Sequence, residues 1–171
     1  LSDDNSFVIN LTGTNDAPTA TFSTPQSTSE DAETISGLLS ATDADSSDSL
    51  SYQLLGSPID GLTINTDGSW NFNPSDDAYQ SLATGDTQTI TVNYGVTDSN
   101  GALAQNSFDI NITGTNDKPV ANAAALILPS IQEDTTLNVS EAQLLAGITD
   151  IDGDKLSITN IEIANQGLLV G

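Results

Sequence analysis

Aspartates recur in this chain at alternate positions, and carboxylates spaced that way can share a cation. Asp150, Asp152 and Asp154 stand in Asp150-Ile151-Asp152-Gly153-Asp154, and Asp43-Ala44-Asp45 with Asp48 gives an earlier version of the pattern. Asp98-Ser99-Asn100-Gly101 is a third acidic turn, and Asn-Asp pairs occur at Asn15-Asp16 and Asn116-Asp117. Two carboxylates ~4–5 Å apart repel by about 3–4 kcal/mol at an effective dielectric near 20. A hard divalent cation relieves that repulsion, and Ca2+ takes about six to eight oxygens in flexible geometry. The chain has no His and no Cys, so the softer ligands that zinc and copper favour are missing. An EF-hand is excluded, because the twelfth position counted from Asp150 is Ile161 rather than Glu. Single Asp and Asn residues cap turns without any ion. Calcium is favoured here by several acidic groups converging on one place.

The overall charge excludes other chemistry. Asp and Glu number 24 against two basic residues, Lys118 and Lys155, for a net charge of −22. Nucleic acid requires Lys and Arg to neutralise phosphate, and an anionic membrane surface would repel the chain. The chain also repels itself unless cations gather round it. Without Cys there are no disulfides, so metal ions or core packing must staple the fold. No run of 18 apolar residues is present to span a bilayer. Asp76-Asp77 or Asp43 with Asp45 could in principle form a glycosidase pair. Adjacent acids at a helix start are better explained by the field of that terminus, and no His or Cys is available for nucleophilic catalysis. The reading is not an enzyme.

The elements that must position these residues come from a repeat. Residues 6–20, SFVINLTGTNDAPTA, return 101 positions later as SFDINITGTNDKPVA, identical at 11 of 15 positions. Such a period indicates an array of domain-sized units. It divides the chain into the last strand of a preceding module (1–13), one whole module (14–114), a linker (115–121) and an incomplete module (122–171). Within the whole module the apolar residues alternate with period two, as half-buried strands do. Ile90, Val92, Tyr94 and Val96 form one such set, Phe108, Ile110 and Ile112 another, and Phe7, Ile9 and Leu11 repeat the second. Asp67-Gly68 and Asn100-Gly101 predict two-residue hairpins. Residues 74–85 predict a short helix started by Pro74 to Asp77, capped by Ser75 and closed by Gly85. Many short antiparallel strands in about 100 residues point to an immunoglobulin-like β-sandwich, with Trp70, Phe72, Tyr52 and Leu54 in its core.

That topology gathers the acids. The loop carrying Asp43 and Asp45 falls at the same end as the Asp98 hairpin, beside Asn15 and Asp16. Glu30 and Asp31 fall near the other end, in reach of Asn116, Asp117, Asp150, Asp152 and Asp154. Each joint then draws carboxylates from both neighbouring modules.

From residue 13 to 115 the chain resembles the VCBS-type repeat of giant bacterial RTX adhesins, on INTDGSWNFNPSDDAYQSLATGDTQTITVNYGVTDSNGA and ITGTND. Residues 119–171, with QEDTTLNVSEAQLLAGITDIDGDKLSI, resemble the cadherin-like domains of similar proteins. Both are immunoglobulin-like Greek-key sandwiches strung in tandem on secreted, surface-held proteins. The resemblance implies calcium at the joints, held by the Asn-Asp linker, the Asp-x-Asp loop and an upstream Glu. At the second joint these are Asn116, Asp117, Asp150, Asp152 and Glu30. At the first they are Asn15, Asp16, Asp43 and Asp45, with the Glu belonging to a preceding module. The function so implied is a monomeric extender whose partners are neighbouring modules, a host or surface ligand being met by other domains. The alternative is a ligand-binding module, with Trp70 and Tyr79 stacking on a sugar or calcium bridging to a glycan.

Overall fold

The computed structural model describes residues 6–45, 48–121, 132 and 134–161. In chain order the elements are β1 (Thr19–Ala20), β2 (Gln26–Ser29), β3 (Ile35–Leu38), β4 (Ala41–Thr42), β5 (Ser51–Leu54), β6 (Leu62–Ile64), β7 (Ser69–Phe72), β8 (Thr87–Thr97) and β9 (Leu103–Thr113). Beyond them come β10 (Val120–Ala121), α1 (Glu141–Leu144) and β11 (Ile148–Thr149). One sheet has the order β2-β9-β8-β5, a second β3-β7-β6, and the pairs β1-β4 and β10-β11 stand apart. The expected immunoglobulin-like sandwich is what forms. All its strand pairs are antiparallel except β2–β9, which runs parallel from Gln26↔Ile110 to Ser29↔Thr113.

The period-two pattern explains the core. Val92, Tyr94 and Val96 on β8 and Phe108, Ile110 and Ile112 on β9 are buried, facing Trp70 and Phe72 on β7. Burying such side chains contributes about 1.5–3 kcal/mol each. Trp70 packs tilted on Phe108 at 5.2 Å between ring centroids, and Phe72 on Tyr79 at 5.4 Å. The buried tyrosines keep their hydroxyls satisfied: Tyr94 donates to the Phe22 carbonyl at 2.8 Å and Tyr79 to that of Asp60 at 2.7 Å. Leu54 and Ile90 are half-buried against this cluster.

Four local expectations are corrected. Both hairpins carry three-residue loops, not two. The Gly68 amide bonds back to Asn65 and Asn65 closes on Ser69, while Gly101 bonds back to Asp98 and Asp98 closes on Ala102. Only the glycines, Gly68 at φ +87° and Gly101 at φ +92°, take the left-handed conformation, as a type I turn followed by a bulge requires. Residues 74–85 form successive turns rather than a helix. Asp76, not Ser75, caps the first, accepting from the Ala78 amide at 3.1 Å, while Ser75 Oγ donates to the Ala32 carbonyl. The Leu82 amide splits between the Tyr79 carbonyl and the Glu30 carboxylate. The helix that does form, α1, carries a Ser140–Gln143 capping box. Phe7, Ile9 and Leu11 are exposed and lie outside the strands of the described residues. Of the incomplete module expected over 122–171, residues 122–131, 133 and 162–171 lie outside the described residues.

Candidate metal centres

The two Asn-Asp segments are held by the same set of bonds. At the first, the Asp16 amide donates to Asp45 Oδ2 at 2.8 Å, and the Asp45 amide donates to Asp43 Oδ1 at 2.8 Å. At the second, the Asp117 amide donates to Asp152 Oδ2 at 2.7 Å, and the Asp152 amide to Asp150 Oδ1 at 3.1 Å. Asn15 and Asn116 each turn their side-chain amide onto the next residue's carbonyl, at 3.0 and 2.6 Å. Alternate aspartates thus aim at one point because the first captures the backbone amide of the second, a local preference of Asp in turns.

Three groups of carboxylates each bring one oxygen per residue within 4.8 Å of the others: Glu30, Asp117 and Asp152; Asp43, Asp45 and Asp48; and Asp150, Asp152 and Asp154. Glu30 is fully buried, yet both of its oxygens are engaged. Oε1 accepts from the Thr115 amide at 2.6 Å and Oε2 from the Leu82 amide at 3.3 Å. Asp31 accepts from the Thr115 hydroxyl at 2.6 Å beside them.

The donor set suits a hard cation. Asp43 Oδ2, Asp117 Oδ2 and Asp152 Oδ1 are buried oxygens with no hydrogen-bond partner, an unfavourable state for a carboxylate unless something positive stands there. Burial, reinforced by the charges of Asp31, Asp152 and Asp150, pushes the Asp117 carboxyl above its ordinary range. Lys118 and a cleft of about 550 Å³ adjoin Asp117 and Asp150.

Asp98 behaves differently. Its Oδ2 accepts from Asn15 Nδ2 at 2.8 Å, and its Oδ1 from the amides of Asn100 and Ala102 at 2.9 and 2.8 Å. The Asn15 bond, helped by those amides, holds its carboxyl below the usual range against the effect of burial. Asp98 therefore meets the linker as expected but stands outside the three carboxylate groups. Asp48, which accepts from Ser99 Oγ at 2.6 Å, takes that place. Thr115 is the participant that sequence reasoning passed over, since its part is played by a backbone amide. Trp70 and Tyr79 are 2 % and 4 % exposed, so neither can stack on a sugar. Among the described residues no helix is long and apolar enough to cross a membrane.

Comparison with known proteins bears on the same two stretches. A family model described as a bacterial cadherin-like domain matches residues 15–114, and one described as a cadherin-like domain matches 115–171. No curated protein sequence matches the chain. Among solved structures, human Protocadherin-24 EC1-2 aligns at 19 % identity and TM-score 0.42, over 60 % of this chain and 45 % of that one. Protocadherin Gamma B7 extracellular cadherin domains 1-4 align at 17 % identity and TM-score 0.47, over 70 % and 29 %. Human Mucin-like Protocadherin EC1-2 aligns at 20 % identity and TM-score 0.43, over 59 % and 55 %. The chain thus spans less than two thirds of each.

Proposed function

Because the chain belongs to the bacterial cadherin-like domain family through residues 15–114, we propose that it is a non-catalytic extender of a secreted, surface-held bacterial adhesin of RTX type, its joints held in line by calcium. The observation that carries this is the duplication of the joint: the Asp16–Asp45–Asp43 bonds recur as Asp117–Asp152–Asp150. A pattern that served only to cap turns would not need to recur where each linker meets the following module. Residues 14–114 form one module, 115–121 the linker, and 122–171 belong to the next.

At the second joint Glu30, Asp117, Asp150 and Asp152 would hold the ion, with Asp31, Asp154 and Asn116 beside them. At the first, Asp16, Asp43 and Asp45 would do so, with Asn15 and Asp98 fixing the linker. The ion supplies positive charge that offsets the mutual repulsion of these carboxylates. An ion that binds only the ordered joint stabilises it by RT ln(1 + [Ca2+]/Kd), about 2.7 kcal/mol at a hundredfold excess. Neighbouring modules are then the immediate partners, and contact with a host cell or surface falls to other domains.

Small-angle scattering in calcium and in EDTA tests this. The expected result is a longer, straighter particle in calcium, with an identical profile in both buffers counting against it. Asp150→Ala with Asp152→Ala should abolish the difference while the melting of the 14–114 module stays where it was.

A further inference from the structure

β8 is paired along its whole length on one side and only in part on the other. β9 follows it through all 11 residues, whereas β5 accompanies it only from Ser51↔Thr97 to Leu54↔Tyr94. The Gly114 amide donates to the Asp86 carbonyl, and the Leu55 amide to that of Asn93. Ladder bonds alternate along an antiparallel strand, so the even-numbered residues of β8 bond to β9 and the odd-numbered ones face the side of β5. Beyond Leu55 that side is open. The backbone N–H and C=O groups of Thr87, Thr89 and Thr91 point into it, and among the described residues nothing bonds to them. All three residues are exposed.

Unpaired strand edges are templates for another strand, and folded proteins blunt them with short strands, charge, proline or bulges. The other outer strands of the sandwich are blunted by length: β2, β3 and β5 have 4 residues each and β6 has 3. The β8 edge carries none of these devices. No charged residue and no proline lies between Asp86 and Asp98, and the register with β9 runs unbroken from Thr87↔Thr113 to Thr97↔Leu103. Both ends of the open stretch are clear. The chain leaves β5 at Gly56, φ +92°, and enters β8 after Gly85, φ +95°, and a Cβ at either would meet nothing within 4 Å. Thr89 Oγ1 donates to Asn111 Oδ1 and Thr91 Oγ1 to Asp109 Oδ1, both at 2.7 Å, so these side chains have little freedom left to lose on contact.

We propose that residues 87–91 are a self-association edge, where a second copy of the chain adds its own residues 87–91 antiparallel about a two-fold axis through Thr89. The sequence selects that occupant. Thr87-Gln88-Thr89-Ile90-Thr91 is self-complementary about its centre, with Thr89 opposite Thr89, Thr87 opposite Thr91 and Gln88 opposite Ile90. A two-fold contact uses the same patch on both copies, and cross-strand Thr pairs stabilise antiparallel strands. The three odd-numbered pairs exchange about six backbone bonds. The lengths agree as well. The second copy's Gly85 comes opposite Asn93, where β5 takes hold, and its chain turns aside there, the Asp86 amide bonding back to Ala83. Two chains of net charge −22 repel at a distance and the contact is small, so the pairing is weak and needs screening, and the dilute chain is a monomer. Many such contacts between two tandem arrays lying head to tail would reinforce one another. That consequence rests on the tandem reading; the pairing itself does not.

Sedimentation and residue-resolved hydrogen exchange test it, on the chain in EDTA and about 1 M NaCl, where the Debye length is ~3 Å. Between micromolar and millimolar protein, exchange at the amides of Thr87, Thr89 and Thr91 should slow by about tenfold as dimers form. Exchange at Gln88 and Ile90, already bonded to β9, should stay as it was. Thr89→Pro removes a donor from the open side alone and should abolish association while the module still melts cooperatively. Thr89→Glu and Thr89→Lys each set like charges face to face and should also be monomeric, whereas mixing the two should restore dimers. Fast exchange at 87, 89 and 91 at every concentration would overturn the proposal. Slow exchange at every concentration would do the same, since the chain then covers its own edge. Dimers that survive Thr89→Pro, or a Glu–Lys mixture that stays monomeric, count equally against it. Should Thr89→Pro fail to fold, the Glu and Lys variants decide the matter by themselves. None of these outcomes bears on scattering in calcium, which judges the extender reading separately.

Discussion

Burial and the charges of Asp31, Asp152 and Asp150 act on Asp117 in one direction, raising its carboxyl above the ordinary range. A raised acid works against the folded joint once the pH exceeds its unfolded value, and that cost is relieved as pH falls and the group protonates. Asp117→Asn should therefore slow exchange of the residue 117 amide in EDTA at pH 7, with the advantage disappearing in mild acid. The same change should weaken calcium binding by about an order of magnitude, through the lost ligand charge; calorimetry with calcium at neutral pH checks it. The aspartates of the site were legible in the sequence because Asp captures backbone amides two or four residues further on, as Asp43, Asp98 and Asp150 do. The contribution of Thr115 was not, since its amide meets Glu30 across 85 positions of chain, and neither residue type announces that contact.

At the scale of elements, the strands were legible wherever one face is buried, because the period of two leaves its mark on β5, β7, β8 and β9. Turn geometry was less so. Asp67-Gly68 marked the right place, but the loop is fixed by Asp67 Oδ1 accepting from the Ser69 amide at 2.9 Å and from Ser69 Oγ at 2.6 Å. Those bonds, the hydroxyl's first, hold the Asp67 carboxyl below its usual range. A depressed acid stabilises the fold above its unfolded pKa and stops doing so as pH falls through its folded one. Asp67→Ala should accordingly lower Tm at pH 7, and the two melting curves should converge as the pH falls below the depressed value. A gap that persists in acid would place the effect in the backbone instead. The turns at 74–85 escaped the sequence reading because helix propensity there yields to the pull of Glu30 on Leu82.

Across the whole molecule the net charge of −22 sets the terms. Like charges held together destabilise the compact state, and the Debye length shrinks from about 30 Å at 0.01 M salt to about 3 Å at 1 M. In EDTA, Tm measured by calorimetry should rise with NaCl over that range; a flat response would mean the acids are already neutralised in pairs. The parallel register of β2 against β9 left no trace in composition or period. That register has a mechanical consequence. The chain enters the sandwich through β1 and β2 and leaves it through β9, and β2 and β9 lie side by side pointing the same way. A pull on the two ends drags these strands past each other lengthwise. The hydrogen bonds of the register from Gln26↔Ile110 to Ser29↔Thr113 are then loaded in shear together, rather than opened one at a time like a zip.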